Sequence, residues 1–408
     1  MMVAGCAQIQ GTLSGSRPAS QPTVKEAAQP APAPAPKPAP QPAPAPPPAP
    51  APSFQPAYQV APDANRSGTV ALLLPLSGSW APIGAALFNA AQLALFEIAD
   101  DSLTLVPFDT KGTPEGAQAA AQAALSQHAD IIIGPLLSGE VKAVGAIARP
   151  AHVPVLAFTT DRTTAGEGVY VLGFLPGPQA QQVILYARAQ NRPRLAVLAP
   201  SNEYGRRLVE YLYNDPSVGP SALTSVQYYD PAATDLTQPI KHLVKPGKNG
   251  DVGFDALLIP EEGQRLRSVA AMLSLQGIDP AKIKLLGTML WEDARNGAEP
   301  ALAGGWYAAP SGAGHAEFEG RYAKAFASRP PRLASLAYDA TALAAVLAKR
   351  RAHDYSGPVL TNPTGFAGVD GLFRLLPDGT SDRGYAIWEI APGSLAKEVA
   401  PAPSAFGG

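Results

Sequence analysis

Side chains able to do chemistry are sparse in this chain, and their spacing excludes more than it suggests. The five histidines, His128, His152, His242, His315 and His353, are scattered and form no metal-ligand spacing, so they read as surface or capping residues. There is no GxSxG elbow, no GxxxxGKS loop and no GxGxxG after a strand. Ser394-Leu395-Ala396-Lys397 has S-x-x-K nucleophile spacing, but it lies in a Pro/Ala tail with no core around it and reads as chance. Acidic residues in loops read as caps and turn formers rather than as a general acid–base pair. No catalytic residue, metal or cofactor is expected. What remains is a binding loop: Ser77, Gly78 and Ser79 lie in LSGSWAPIG, rich in small and hydroxyl residues, between a buried strand and a helix. Open α/β sheets place ligands at this end of their strands.

The elements that would position such a loop follow from apolar spacing. Val70–Leu74 is a continuous apolar run stopped by Pro75, the mark of a strand buried on both faces of a parallel sheet. Leu87, Phe88, Ala91, Leu95 and Ile98 recur at helical spacing. Three more units follow, with strands at Leu103–Phe108, Asp130–Gly134 and Pro154–Phe158, and Thr113 as an N-cap ahead of Pro114. Such a series predicts a doubly wound parallel sheet. After Val169–Leu172 and a Pro-Gly-Pro stretch the pattern restarts, with strands at Arg194–Leu198, Ser225–Tyr229, Asp255–Ile259 and Ile283–Gly287. Gly304–Ala308 suits a crossing back to the first lobe. Helices at about 315–326 and 334–349 then return to that lobe, and two strands flank an Asp378-Gly379 turn. Two lobes joined by several crossings imply a cleft that closes by a hinge motion.

Composition places this α/β body on a leash. The chain has 408 residues and a net charge of −2, so no basic field argues for nucleic acid. No apolar run reaches the roughly 20 residues that span a bilayer. Its 45 prolines concentrate near the N-terminus. From Gln29 to Pro62 the chain is almost all Pro and Ala; polyproline II at about 3.1 Å per residue makes this a semi-rigid spacer of roughly 100 Å. The one cysteine, Cys6, excludes an intrachain disulfide, and its Val-Ala-Gly-Cys-Ala context fits a bacterial lipobox. The basic and apolar regions of a signal peptide are missing from the five residues before it, so the true start is expected upstream of Met1. The organisation expected is 1–6 signal remnant with lipidated Cys6, 7–66 disordered tether, 67–172 and 305–364 first lobe, 173–304 second lobe, 365–394 hinge crossing and last strands of the second lobe, and 395–408 disordered tail.

The element order, with VALLLPLSG at its start, DIIIGP, SNEYGR and LAYDATALAAVLA, resembles the type I periplasmic binding proteins of the leucine/isoleucine/valine-binding class, over about Thr69 to Ile390. Gly134-Pro135-Leu136-Leu137 and the FTTD at Phe158–Asp161 bring it closer to the penicillin-binding-protein activator lipoproteins, which use this fold and stimulate a peptidoglycan synthase from the outer membrane. Known members carry a helical repeat domain where this chain has its Pro/Ala tether. Ala7 lacks the aspartate that retains lipoproteins in the inner membrane, so family habit implies a lipid anchor on the periplasmic side of the outer membrane.

In amino-acid binders of this fold, backbone N–H groups and Ser/Thr hydroxyls hold the ligand carboxylate and an acidic side chain holds its ammonium. The resemblance puts these roles on Ser77, Gly78 and Ser79, on Leu136, Leu137 and Ser138, on Thr159, Thr160 and Asp161, and, from the second lobe, on Tyr204 and on Glu261 or Glu262. It also argues against amino-acid binding. Leu136 and Leu137 put apolar bulk where binders are small, and Asp161 would repel a ligand carboxylate. The expectation is therefore a non-enzymatic envelope lipoprotein that activates or scaffolds a penicillin-binding protein by contact. The alternative is the solute-binding protein of an ABC importer for a branched-chain or other amino acid.

Overall fold

A computed structural model describes residues 68–98, 103–244, 251–351, 353–393 and 396–406. Cys6 and the Pro/Ala tether fall outside the described residues.

The first sheet is parallel throughout and ordered β2-β1-β3-β4-β5, from β1 (Gly68–Leu74), β2 (Leu103–Asp109), β3 (Ile131–Ile133), β4 (Val155–Ala157) and β5 (Val169–Val171). The apolar run of β1 is fully buried because both faces are covered. Val70, Leu72 and Leu74 enter one core, with α1 (Ala81–Ile98), while Ala71 and Leu73 enter the other, with α2 (Pro114–Ser126) and α3 (Ser138–Ala148). Thr113 caps α2, its hydroxyl accepting the Gly116 N–H at 3.0 Å.

The second lobe contains α4 (Pro176–Ala189), β6 (Leu195–Pro200), α5 (Glu203–Asn214), β7 (Leu223–Tyr229), α6 (Thr237–Leu243), β8 (Ala256–Leu258), α7 (Gly263–Leu275), β9 (Lys284–Gly287) and β10 (Trp306–Ala309). Here too the strands alternate: Val197 and Ala199 face the core with α4 and α5, and Ala196 and Leu198 face the core with α6 and α7. The chain then returns to the first lobe through α8 (Gly312–Phe326) and α9 (Ala334–Arg351). Alanines 337, 340, 344 and 348 of α9 share the first core with Ala90, Ala91 and Ala94 of α1. After α10 (Gly357–Leu360), an antiparallel sheet of β11 (Phe366–Gly368), β12 (Gly371–Leu375) and β13 (Ser381–Arg383) adds Phe366, Phe373 and Leu375 to that core. The Asp378-Gly379 turn joins β12 to β13, with Gly379 at φ +81°.

Three expectations need correction. Residues 365–383 are not last strands of the second lobe: β11–β13 pack on the first lobe's core through Phe366, Phe373 and Leu375, side chains whose partners are remote in sequence, and within 365–394 only Ala386–Glu389 joins the second sheet. Gly304–Ala308 is not a crossing: β10 lies inside the second sheet, parallel to β9, and the crossing follows it at 310–311. A short apolar run between glycines carries the same signal in either place. The tail expected to be disordered contains β15 (Lys397–Ala400), antiparallel to β14 (Ala386–Glu389), which itself pairs antiparallel with β10. The second sheet is thus ordered β15-β14-β10-β9-β8-β6-β7. β15 covers the edge of β14 that faces away from β10, pairing backbone groups that would otherwise be exposed.

Candidate functional site

The loops at the carboxyl ends of the strands, with the first turns of α3 and α5, hold every cleft residue singled out from sequence, but most are engaged by the protein itself. In the β1–α1 loop, the Ser77 hydroxyl donates to Asp109 Oδ2 at 2.6 Å, and the Leu76, Ser77 and Lys111 N–H groups donate to Oδ1 at 2.9, 3.2 and 2.8 Å. Burial opposes ionisation of Asp109, but these donors outweigh it and hold its carboxyl below the ordinary value. Gly78 adopts φ +78°, a conformation only glycine takes without strain, and Ser79 is exposed.

Leu136 is buried in the first lobe's core, and Leu137 is half-buried against it. Met289, from the second lobe, packs against the cores of both lobes. Ser138 opens α3, where buried Glu140 accepts the Leu137 N–H at 3.0 Å. Burial raises the Glu140 carboxyl above its usual range despite hydrogen bonds from Thr110, Leu137 and Leu136.

After β4, buried Thr159 accepts the Asp161 N–H at 3.1 Å, while Thr160 is exposed. Asp161 caps a short 3-10 turn, accepting from the Thr163 N–H at 3.0 Å and hydroxyl at 2.7 Å. Its Oδ1 also receives Arg207 Nη1, from α5 of the second lobe, so the two lobes are joined by an ion pair. Arg207 is oriented from its own helix by Glu203 at 2.6 Å, one turn earlier. Next to this pair the Arg162 guanidinium of the first lobe lies 5.2 Å from the ring centre of Tyr211 in the second, a second cation contact between the lobes that runs in the opposite direction. Burial pushes the Tyr211 phenol up to about 12. Thr160, Arg162 and Thr163 of the first lobe, with Pro176, Gly177, Arg207 and Tyr211 of the second, line a cavity of about 620 Å³.

The remaining second-lobe candidates turn inward. The Tyr204 hydroxyl lies 3.3 Å from that of buried Thr288, and burial raises its pKa. Glu261 accepts the Tyr229 hydroxyl at 2.5 Å and the Glu262 N–H at 3.1 Å, with the Arg265 guanidinium over the Tyr229 ring. The structure thus brings Thr160 and Asp161 to the second lobe, keeps Thr159 buried within the first, and engages Ser77, Tyr204 and Glu261 each within its own lobe.

Sequence reasoning missed two features. One is Arg207, whose only signal is its i, i+4 spacing from Glu203. The other is a buried ionic cluster where the chain crosses between lobes. Arg332 Nη2 and His315 Nδ1 lie 3.0 and 3.1 Å from Asp370 Oδ1, and Arg383 Nη1 lies 3.8 Å from Asp339 Oδ2. Arg383 sits over Phe174, in the first crossing, and Phe373. Burial pushes Asp339 up to about 7, only partly offset by Arg383. Burial of Asp370 is outweighed by Arg332 and His315, which keep it ionised. Among the described residues no group of three or more His, Cys, Asp or Glu side chains could hold a metal ion.

This architecture has many relatives among solved structures. A protein described as a branched-chain amino acid ABC transporter from Rhodospirillum rubrum superposes with a TM-score of 0.71 at 16% identity, covering 82% of this chain and all of that one. A leucine binding protein from Thermotoga maritima gives 0.57 at 18% identity, over 82% and 99% of the two chains. A solute binding protein from R. palustris in complex with benzoate gives 0.55 at 18%, over 83% and 98%. In sequence, the penicillin-binding protein activator LpoA of Vibrio cholerae is 28% identical over 145 residues. That match spans 34% of this chain and about a quarter of the curated relative, 24% of its length. The family model described as periplasmic binding protein matches residues 68–380, and with the two-lobed type I architecture in place, the chain belongs to the periplasmic binding protein family.

Proposed function

We propose that this protein is a non-enzymatic envelope lipoprotein that activates or scaffolds a peptidoglycan synthase of the penicillin-binding-protein class by direct contact. The observation that carries the reading is the state of the cleft. Asp161, at the position that would face a ligand carboxylate, is already bound by Arg207 across the cleft, and Ser77, Tyr204 and Glu261 have protein partners. A cleft whose polar groups are satisfied internally gains little from a small solute, because each new hydrogen bond displaces an existing one. The local similarity to LpoA supports the choice of partner class. On this reading Cys6 carries the lipid, at the periplasmic face of the outer membrane, and the Pro/Ala spacer sets how far the binding-protein domain reaches.

The test pairs two measurements on the full chain. Affinity capture from envelope extracts is expected to retain a penicillin-binding protein, and the purified pair to show raised glycan-polymerising or crosslinking activity. A thermal-shift screen of amino acids and aromatic carboxylates is expected to leave the melting temperature unchanged. A shift of several degrees with one solute, together with no synthase capture, would overturn the proposal. That outcome would favour the second reading, a solute-binding component of an ABC importer. The cavity of about 620 Å³ between Thr160 and Tyr211 favours that alternative, being of ordinary ligand-site size.

A further inference from the structure

The segment after β14 runs across both lobes. At its start, Ala396 packs against the second lobe's core, and β15 adds to the edge of β14 through the pairs Glu389↔Lys397, Trp388↔Glu398 and Ile387↔Ala400. Val399 and Ala400 pack against the second lobe's other core. The chain then reverses past the third crossing, the Gly384-Tyr385 link between β13 and β14. Pro403 lies close enough that a Cβ on Gly384 would stand 3.0 Å from its ring. It ends on the small antiparallel sheet of the first lobe. There the Phe406 ring lies 4.4 Å beneath the Arg374 guanidinium, which Asp382 fixes at 3.0 Å. A Cβ on Gly365 would come within 2.7 Å of that ring.

Two of these details concern the route rather than the ends. Gly384 has no left-handed backbone torsion to explain it, so the room it leaves is filled by Pro403. Pro401 and Pro403 lock φ at alternate positions, making the bridge between β15 and Phe406 stiff instead of slack. A slack tether would leave the lobes free to rotate about the three crossings, whereas a stiff one held at both ends restrains them.

We infer that residues 396–406 form a strut that fixes the angle between the two lobes, so that opening of the cleft requires Phe406 to leave its seat under Arg374. The strut and the Asp161–Arg207 pair connect the lobes through separate residues, and each works without a ligand. This inference does not depend on the identity of any partner or solute.

Interlobe distance measurement tests it. Spin labels are placed at Phe96→Cys on α1 and Leu275→Cys on α7, both strongly exposed at 79% and 82%, in the full chain carrying Cys6→Ser. The parent is expected to give one narrow distance distribution. Phe406→Ala, and removal of the chain after Ala402, which keeps β15, are each expected to broaden it and add a second distance. Phe406→Tyr is expected to restore the parent pattern, and Gly384→Ala, which pushes Pro403 away, to broaden it in part. An unchanged distribution in both Phe406→Ala and the shortened chain would overturn the inference. If the shortened chain loses its fold by circular dichroism, Phe406→Ala alone decides.

Discussion

Removing the Asp161–Arg207 pair should loosen one lobe from the other by an amount the geometry bounds. Asp161 is 13% exposed at its side chain and Arg207 is 37% exposed. A hydrogen bond to a charged group contributes about 1.5–3 kcal/mol when well buried, and exposed ion pairs about 0.2–1 kcal/mol. With one partner buried and the other more than a third exposed, the coupling should lie near 1 kcal/mol, roughly a five-fold shift between joined and separated states. Asp161→Asn is the apt substitution, since the amide oxygen still caps Thr163 while the charge is lost. Combined with Arg207→Ala in a double-mutant cycle, urea unfolding isolates the pair from the cap and from Glu203. The coupling should shrink in 1 M salt. Burial raises the Asp161 pKa, but Thr163 and Arg207 outweigh it, so the folded value lies below 3.8. The pair's contribution is therefore full above that pH and is lost as pH falls below about 4. A coupling under about 0.3 kcal/mol at low salt and pH 7 would refute the reading that this pair joins the lobes, because independent sites add to within that margin.

Three further outcomes follow from single residues. Asp339 has its folded pKa raised to about 7, above its unfolded value of 3.8, so the folded state favours its neutral form and stability falls as pH rises between those values. Asp339→Asn should accordingly become less harmful between pH 5 and pH 8 in urea titrations, whereas a constant penalty would show that Asp339 is ionised throughout. Gly134 sits at φ +90° with its missing Cβ directed at the Leu73 carbonyl, so Gly134→Ala should cost about 3 kcal/mol or more, read by the same titration. Leu136→Ala should cost about 2–4 kcal/mol as a core deletion and should leave leucine unable to shift the melting temperature; a new leucine-dependent shift would mean that its bulk had been blocking a site.

Much of the fold was legible because its strands are buried on both faces, and such strands announce themselves as unbroken apolar runs. Ile131–Ile133 and Ala256–Leu258 admit no other placement in a parallel sheet. The errors arose where a signal is shared or distant. Trp306–Ala309 reads the same whether it crosses between lobes or lies within one. The Pro/Ala composition of the tail hid Lys397–Ala400, whose strand character depends on the remote edge of β14. The cleft residues were legible as types but not as states. Nothing local to Asp161 reveals an arginine 46 positions away, and nothing local to Ser77 reveals that Asp109 takes its hydroxyl.

That difference changes the argument about ligands. From sequence, Asp161 opposes a solute carboxylate by repulsion. In the structure Arg207 largely neutralises Asp161, so repulsion is weak and the obstacle becomes competition. A solute carboxylate that sought Arg207 would have to displace one already attached to the protein. Tethered groups act at effective concentrations of about millimolar or more, so a free solute starts with a handicap that contacts elsewhere must recover. Ser77, Tyr204 and Glu261 offer few such contacts, since each has a partner of its own. A protein partner faces the same competition at Arg207 but can offset it over an interface of about 800 Å² on each side. On the proposed reading, the ion pair would resist small anions more strongly than a partner surface, in keeping with a domain that works by docking.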